Sequence, residues 1–166
     1  YFDQLSLLAS ISNKIISIGG DGKLILYDFY DNEGNLQIDK ISEAKVPELI
    51  QYNKSITAID SNTFALGYKN KINIYKVDNN FNSNNSNSNN NYISQSYTIP
   101  DEIDGVNILN INCYQHNSEN LGNKTLVYTN QKGKLFVYDL RASKKVLSNN
   151  FGVHKGLFSS TDFGKD

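Results

Sequence analysis

Gly19-Gly-Asp-Gly-Lys23 is the segment with the most obvious chemical promise, because a glycine-rich turn ending in lysine can cradle phosphate groups. Such a loop needs Ser or Thr after Gly-Lys and then a helix, whereas here Leu24 and further strand-forming residues follow. The segment reads instead as a hairpin turn, with Asp21-Gly22 supplying the positive φ. His116 and His154 are the only histidines, and nothing in their spacing suggests a metal pair. Asp101-Glu-Ile-Asp-Gly105 lacks the alternating ligands of a calcium loop and reads as a turn entering a strand. Ser, His and Asp are all present, but no Gly-x-Ser-x-Gly elbow exposes a nucleophile. Asn53, Asn84 and Asn123 open Asn-x-Ser/Thr sequons, which read as chance matches in an Asn-rich chain. The expectation is no catalytic, cofactor-binding or metal-binding residue.

Composition narrows the classes further. The formal charge is -1, from 16 basic and 17 acidic residues, which argues against a nucleic-acid surface. Arg141 is the only arginine, so clamps built from paired guanidinium groups are excluded. Cys113 is the only cysteine and can form neither an internal disulfide nor a thiolate cage, which fits a reducing cytoplasm. No apolar run reaches the roughly 20 residues of a membrane-spanning helix, and no signal segment opens the chain. The chain starts at Tyr1 and contains no Met, so it is expected to be a section of a longer protein.

The elements that would carry these residues recur. Lys14–Ile18, a turn and Lys23–Asp28 form one hairpin; Thr63–Gly67, Tyr68–Asn70 and Lys71–Lys76 form a second; Lys124–Thr129, Asn130–Gly133 and Lys134–Asp139 form a third. Each joins two runs of β-formers, and the second run carries a tyrosine near its end: Tyr27, Tyr75 or Tyr138. A strand is predicted before each hairpin, at Leu5–Ser10, Ser55–Asp60 and Val106–Asn112, and an outer strand after each, at Leu36–Ile41, Tyr92–Thr98 and Lys145–Ser148. Four strands per unit is a propeller blade. Tyr27 and Tyr75 lie 48 residues apart, Tyr75 and Tyr138 lie 63 apart, and the polar Asn79–Asn91 tract accounts for most of the difference. Without it the period approaches the ~40–45 residues of a WD blade.

The fold expected is all-β: a partial propeller of WD-repeat type, with about three four-stranded blades plus the start of a fourth at Leu157–Phe163. Residues 1–166 are expected to form part of one propeller, with 79–91 a disordered rim loop. A β-sandwich is the rival, but it does not require recurring hairpins that each carry this tyrosine.

Tyr27-Asp28 and Tyr138-Asp139 resemble the Trp-Asp ending of WD repeats, with Tyr75-Lys76 departing from it. The rings are expected to pack blades together, and Asp28 and Asp139 to bind backbone N–H groups at blade turns. His154 is expected in a hydrogen-bond network inside a blade, and His116 in a polar loop.

At a finer grain the chain resembles the WD-repeat domain of the regulatory, protein-kinase-like subunit of the class III phosphatidylinositol 3-kinase complex. Leu49-Ile-Gln-Tyr52, Ser55-Ile-Thr-Ala-Ile59 and Phe64-Ala-Leu-Gly67 are similar to one blade of that family. Asp104-Gly105-Val106, Leu126-Val-Tyr-Thr129, Gly133 and Tyr138-Asp-Leu-Arg141 resemble the next, and His154-Lys-Gly156-Leu157 through Asp162 continues the order. The resemblance implies a non-catalytic scaffold in autophagy and endosomal sorting, with a kinase-like domain elsewhere in the full protein. It implies as partners the lipid kinase catalytic subunit and its associated subunits, with no nucleic acid. The implied place is cytoplasmic, peripheral on endosomal or autophagosomal membranes, touching the membrane only through the complex. Tyr138-Asp-Leu-Arg141 also resembles the Trp-Asp-x-Arg box of cullin-ligase substrate receptors, which marks Arg141 as a possible interaction residue. The Phe-Arg-Arg-Gly motif of phosphoinositide-binding propellers is missing from this sequence.

Overall fold

A computed structural model of the chain describes residues 5–11, 13–47, 54–78, 92–100, 107–115 and 124–150. The readings for Leu49–Tyr52, Asn79–Asn91, Asp101–Gly105, His116, His154 and Leu157–Phe163 lie outside the described residues.

The described residues form twelve strands in chain order: β1 (Leu5–Ile11), β2 (Lys14–Gly19), β3 (Lys23–Asn32), β4 (Asn35–Lys45), β5 (Lys54–Asp60), β6 (Thr63–Tyr68), β7 (Lys71–Val77), β8 (Ile93–Pro100), β9 (Ile108–Gln115), β10 (Lys124–Asn130), β11 (Lys134–Asp139) and β12 (Lys144–Asn150). They make three antiparallel four-stranded sheets, β1-β2-β3-β4, β5-β6-β7-β8 and β9-β10-β11-β12. These are consecutive WD-type blades of a partial propeller. The inner strand of each sheet faces the inner strand of the next, so β5 lies between β1 and β9.

Alternation along the strands explains why the sheets stack. Phe64 and Leu66 point to the first blade and Ala65 to the third, so β6 is buried on both faces and reads as an unbroken apolar run. Leu24 and Leu26 close the first interface against Phe64 and Tyr75, while Ile72 and Ile74 meet Tyr128 and Phe136 across the second. Two stacked cross-strand pairs reinforce the packing, Phe64 with Tyr75 at 5.1 Å and Tyr128 with Phe136 at 4.9 Å between ring centroids. Such pairs are worth about 0.5–1.5 kcal/mol beyond their buried area.

Side-chain hydroxyls also join the second and third blades. Ser55 Oγ accepts the Ile111 N–H at 2.9 Å, and Thr57 Oγ1 accepts the Cys113 N–H at 3.3 Å. These bonds occupy donors on β9 that its neighbour within the sheet does not use; leaving a buried one unmade costs about 1–3 kcal/mol. Gly67 permits this close approach, since a Cβ there would stand 2.9 Å from Ile108 Cγ2.

Each outer strand carries one bulge at the same place in its blade. The register with the neighbouring strand slips between Leu26 and Tyr27, between Ile74 and Tyr75, and between Val137 and Tyr138. The extra residues are Ile41, Ser96 and Val146. Several boundaries differ from the sequence expectation: β4 runs on to Lys45, β8 to Pro100 and β9 to Gln115, and β3 runs on to Asn32, where the β3–β4 hairpin closes at Glu33 and Gly34, both at positive φ. That geometry is a two-residue type I′ turn.

Candidate functional site

The repeat tyrosines lie on the same side of their sheets but are not equally covered. Tyr75 is buried against the first blade, and Tyr138 is partly buried against the second. Tyr27 points the other way from Leu24 and Leu26, onto the face of the first sheet that the second blade does not cover. The aspartates differ too. Asp139 Oδ1 accepts the N–H groups of Arg141 at 2.8 Å and Ala142 at 2.9 Å, pinning the β11–β12 turn. The Ala142 N–H, then the Arg141 N–H and the cations of Arg141 and Lys144, together outweigh the opposing effect of desolvation and hold the Asp139 carboxyl below its ordinary range.

Asp28 departs from the backbone-capping expectation because its strand continues past it. Its Oδ1 takes the Asn13 side-chain amide at 2.7 Å, tying β3 to the β1–β2 turn. Asp31, three residues later, accepts the Gly34 N–H at 2.8 Å and so does for the first blade what Asp139 does for the third.

A polar network missed in the sequence lies inside the second blade. Asn73 is only 1% exposed; its Nδ2 donates to Tyr68 Oη at 2.9 Å and to Gln95 Oε1 at 3.3 Å. Its Oδ1 accepts from Thr98 Oγ1 at 2.8 Å, and Thr98 Oγ1 accepts from Gln95 Nε2 at 3.0 Å. The bulge at Ser96 lets Gln95 and Thr98 share one face despite their odd spacing. Asn73 and Tyr68 are its buried centre, Gln95 and Thr98 its exposed edge, and the network fixes the outer strand of the blade.

The candidate interaction site is an open cleft of about 350 Å³ between the second and third blades, on the face that carries the β5–β6 and β11–β12 turns. Ile59, Ile74 and Leu140 give it an apolar floor; Lys76, Tyr97 and Arg141 stand around it. Lys76 occupies the position where the repeat pattern has aspartate, and strand alternation aims it with Ile74 toward the third blade. Tyr97 is 41% exposed, and partial burial followed by the nearby Tyr138 pushes its hydroxyl pKa up, so it stays a neutral donor.

Across the cleft, Lys124 Nζ lies 3.5 Å from Asp60 Oδ2. Burial pulls the Asp60 carboxyl upward, but the Asn62 N–H, the Thr63 hydroxyl and Lys124 together outweigh it and hold it below its ordinary range. Cys113 lies beside this pair, and burial, with Asp60 adding and Lys124 opposing, pushes its thiol up to about 11. It is therefore a protonated packing residue at neutral pH and no nucleophile. Among the described residues no group of His, Cys, Asp and Glu could hold a metal ion.

No family model matches the chain, and no curated protein matches it. Solved structures do. Sqt1 of Chaetomium thermophilum superposes with a TM-score of 0.59 at 15% identity over 93% of this chain. The same protein bound to the N-terminus of the ribosomal protein L10 gives 0.61 at 16% over 89%. Raptor of Chaetomium thermophilum gives 0.56 at 14% over 89%. The chain spans 38% of the length of Sqt1 and 12% of that of Raptor. At these identities the likeness shows the fold, which is that of WD-type propeller proteins.

Proposed function

We propose that this chain is a non-catalytic protein-interaction scaffold, and that it is the propeller of the regulatory subunit of a class III phosphatidylinositol 3-kinase complex. In that reading it works in autophagy and endosomal sorting. It is cytoplasmic and peripheral on endosomal or autophagosomal membranes, and it binds the lipid kinase catalytic subunit and its associated subunits. The kinase-like domain of such a protein would lie outside these residues.

The observation that carries the scaffold reading is the interblade cleft, where apolar side chains, a half-exposed tyrosine and exposed cations meet on rigid strands and a pinned turn. A surface that mixes an apolar centre with a polar rim is what protein recognition uses. The fold has a precedent, since one of the similar structures holds the N-terminus of a ribosomal protein. The lipid-kinase assignment is supported by the order of blade segments from Leu49 to Asp162.

The test is purification of the full-length protein from its own cells, with identification of what comes with it. Stoichiometric recovery of a lipid kinase is expected; clean preparations that never contain one would overturn the assignment. The exposed Arg141, at the end of Tyr138-Asp-Leu-Arg141, favours a second reading as a cullin-ligase substrate receptor. Recovery of a ligase adaptor in place of the kinase, lost in Arg141→Ala, would establish it.

A further inference from the structure

We infer that the cleft between the second and third blades takes an acidic peptide segment of a partner protein, with one large apolar side chain seated on the floor and carboxylates on either side of it. The inference rests on the scaffold reading and names the chemistry of the partner.

Charge decides the sign. Among the described residues, Lys76, Lys124 and Arg141 line the cleft against one carboxylate, Asp60. Lys124 and Asp60 face each other at 3.5 Å and largely cancel, leaving Lys76 and Arg141 to set the potential of the rim. Asp139 acts on Arg141 and, more weakly, on Lys144, so one carboxylate is shared between two cations and the turn keeps a net positive charge. The chain as a whole carries a formal charge of -1, so this local cationic excess runs against the average of the molecule.

Shape gives the apolar part. Ile59, Ile74 and Leu140 present hydrocarbon at the bottom of an open cleft of about 350 Å³, at the small end of the range of ligand pockets and roomy enough for one large side chain. Tyr97 adds an amphipathic wall whose protonated hydroxyl can donate to a carboxylate. Strands β5, β6, β7 and β8 and the Asp139-pinned turn fix these groups before a ligand arrives, which limits the entropy lost on binding. A basic segment would meet Lys76 and Arg141 with like charge, and a fully apolar one would leave both without a counter-charge.

The experiment uses the full chain and a short fluorescein-labelled peptide in which Leu-Leu is flanked on both sides by Glu, read by fluorescence anisotropy. The same peptide with Lys for Glu is the comparison. Saturable binding of the acidic peptide is expected, weakened by added salt, with each of Lys76→Glu and Arg141→Glu lowering affinity by about tenfold. Lys132→Glu, on the β10–β11 turn of the opposite face, should leave it unchanged. Both target residues are exposed, and an unchanged melting profile shows that the variants fold.

Failure of the acidic peptide to bind, equal binding of the basic one, or indifference to both charge reversals would overturn the inference. Co-purification of the lipid kinase with Arg141→Glu protein, together with failure of the peptide, would leave the scaffold reading standing and remove only this site. Absence of the kinase from wild-type preparations would remove the complex assignment whatever the peptide does.

Discussion

Asp28 and Asp139 both follow a repeat tyrosine, yet they hold different things. Asp139 gathers two backbone N–H groups and so shapes the turn that presents Arg141. Asp28 holds a side-chain amide, because β3 continues past it and its turn lies farther on. A lowered carboxyl pKa ties the Asp139 contribution to pH. The charged form is favoured in the folded state, so the stabilisation is complete above the ordinary carboxyl pKa and disappears as pH falls through the lowered one. Denaturant titrations of wild type and Asp139→Asn at a series of pH values should show a stability gap that is widest near neutrality and closes in acid. A gap independent of pH would contradict the charged-acceptor role. Other residues were harder to read from the sequence. In the sequence Lys76 is a departure from the aromatic-Asp pattern, and nothing local marks Asn73. Their meaning depends on groups brought in from β8, β10 and the β11–β12 turn, which no local pattern announces.

At the scale of elements, all three central hairpins were legible because their apolar runs are short, rich in β-formers and separated by turn residues. The Asn32-Glu-Gly-Asn35 turn was the exception; it extends β3 and β4 past the tyrosine that closes the repeat pattern. The bulges were not legible either, since Ile41, Ser96 and Val146 share no residue type. Their consequence is large. Ile93 and Ile99 are six residues apart, an even number that would put both on one face of a regular strand, yet Ile93 packs toward the first blade and Ile99 toward the third. The bulge at Ser96 produces that switch. Deleting Ser96 should put Ile93 or Ile99 on the wrong face and cost about 1.5–3 kcal/mol, the burial of one large aliphatic side chain. Urea unfolding measures this; an unchanged midpoint would mean that the outer strand tolerates either register.

At the scale of the whole molecule, the blades depend on one another. The second sheet is apolar on both faces because it is covered on both, and the four-stranded period in the sequence predicted that arrangement without showing how the sheets meet. The joint between the second and third blades combines Ser55 and Thr57 hydroxyls on β9 amides with the close fit of Gly67 to Ile108. A docking cleft between blades exists only where these sheets stack, so the joint supports the binding surface as well as the fold. A cross-link measures it most directly. An ideal Cβ at Gly67 lies 3.7 Å from the Ile108 Cβ, inside the range that a disulfide spans. In a Cys113→Ala background, the double variant Gly67→Cys/Ile108→Cys should form an intramolecular disulfide on mild oxidation, found by mass spectrometry as a linked pair of proteolytic fragments. Two thiols that stay free under oxidation in the folded variant would contradict the stacking of these blades.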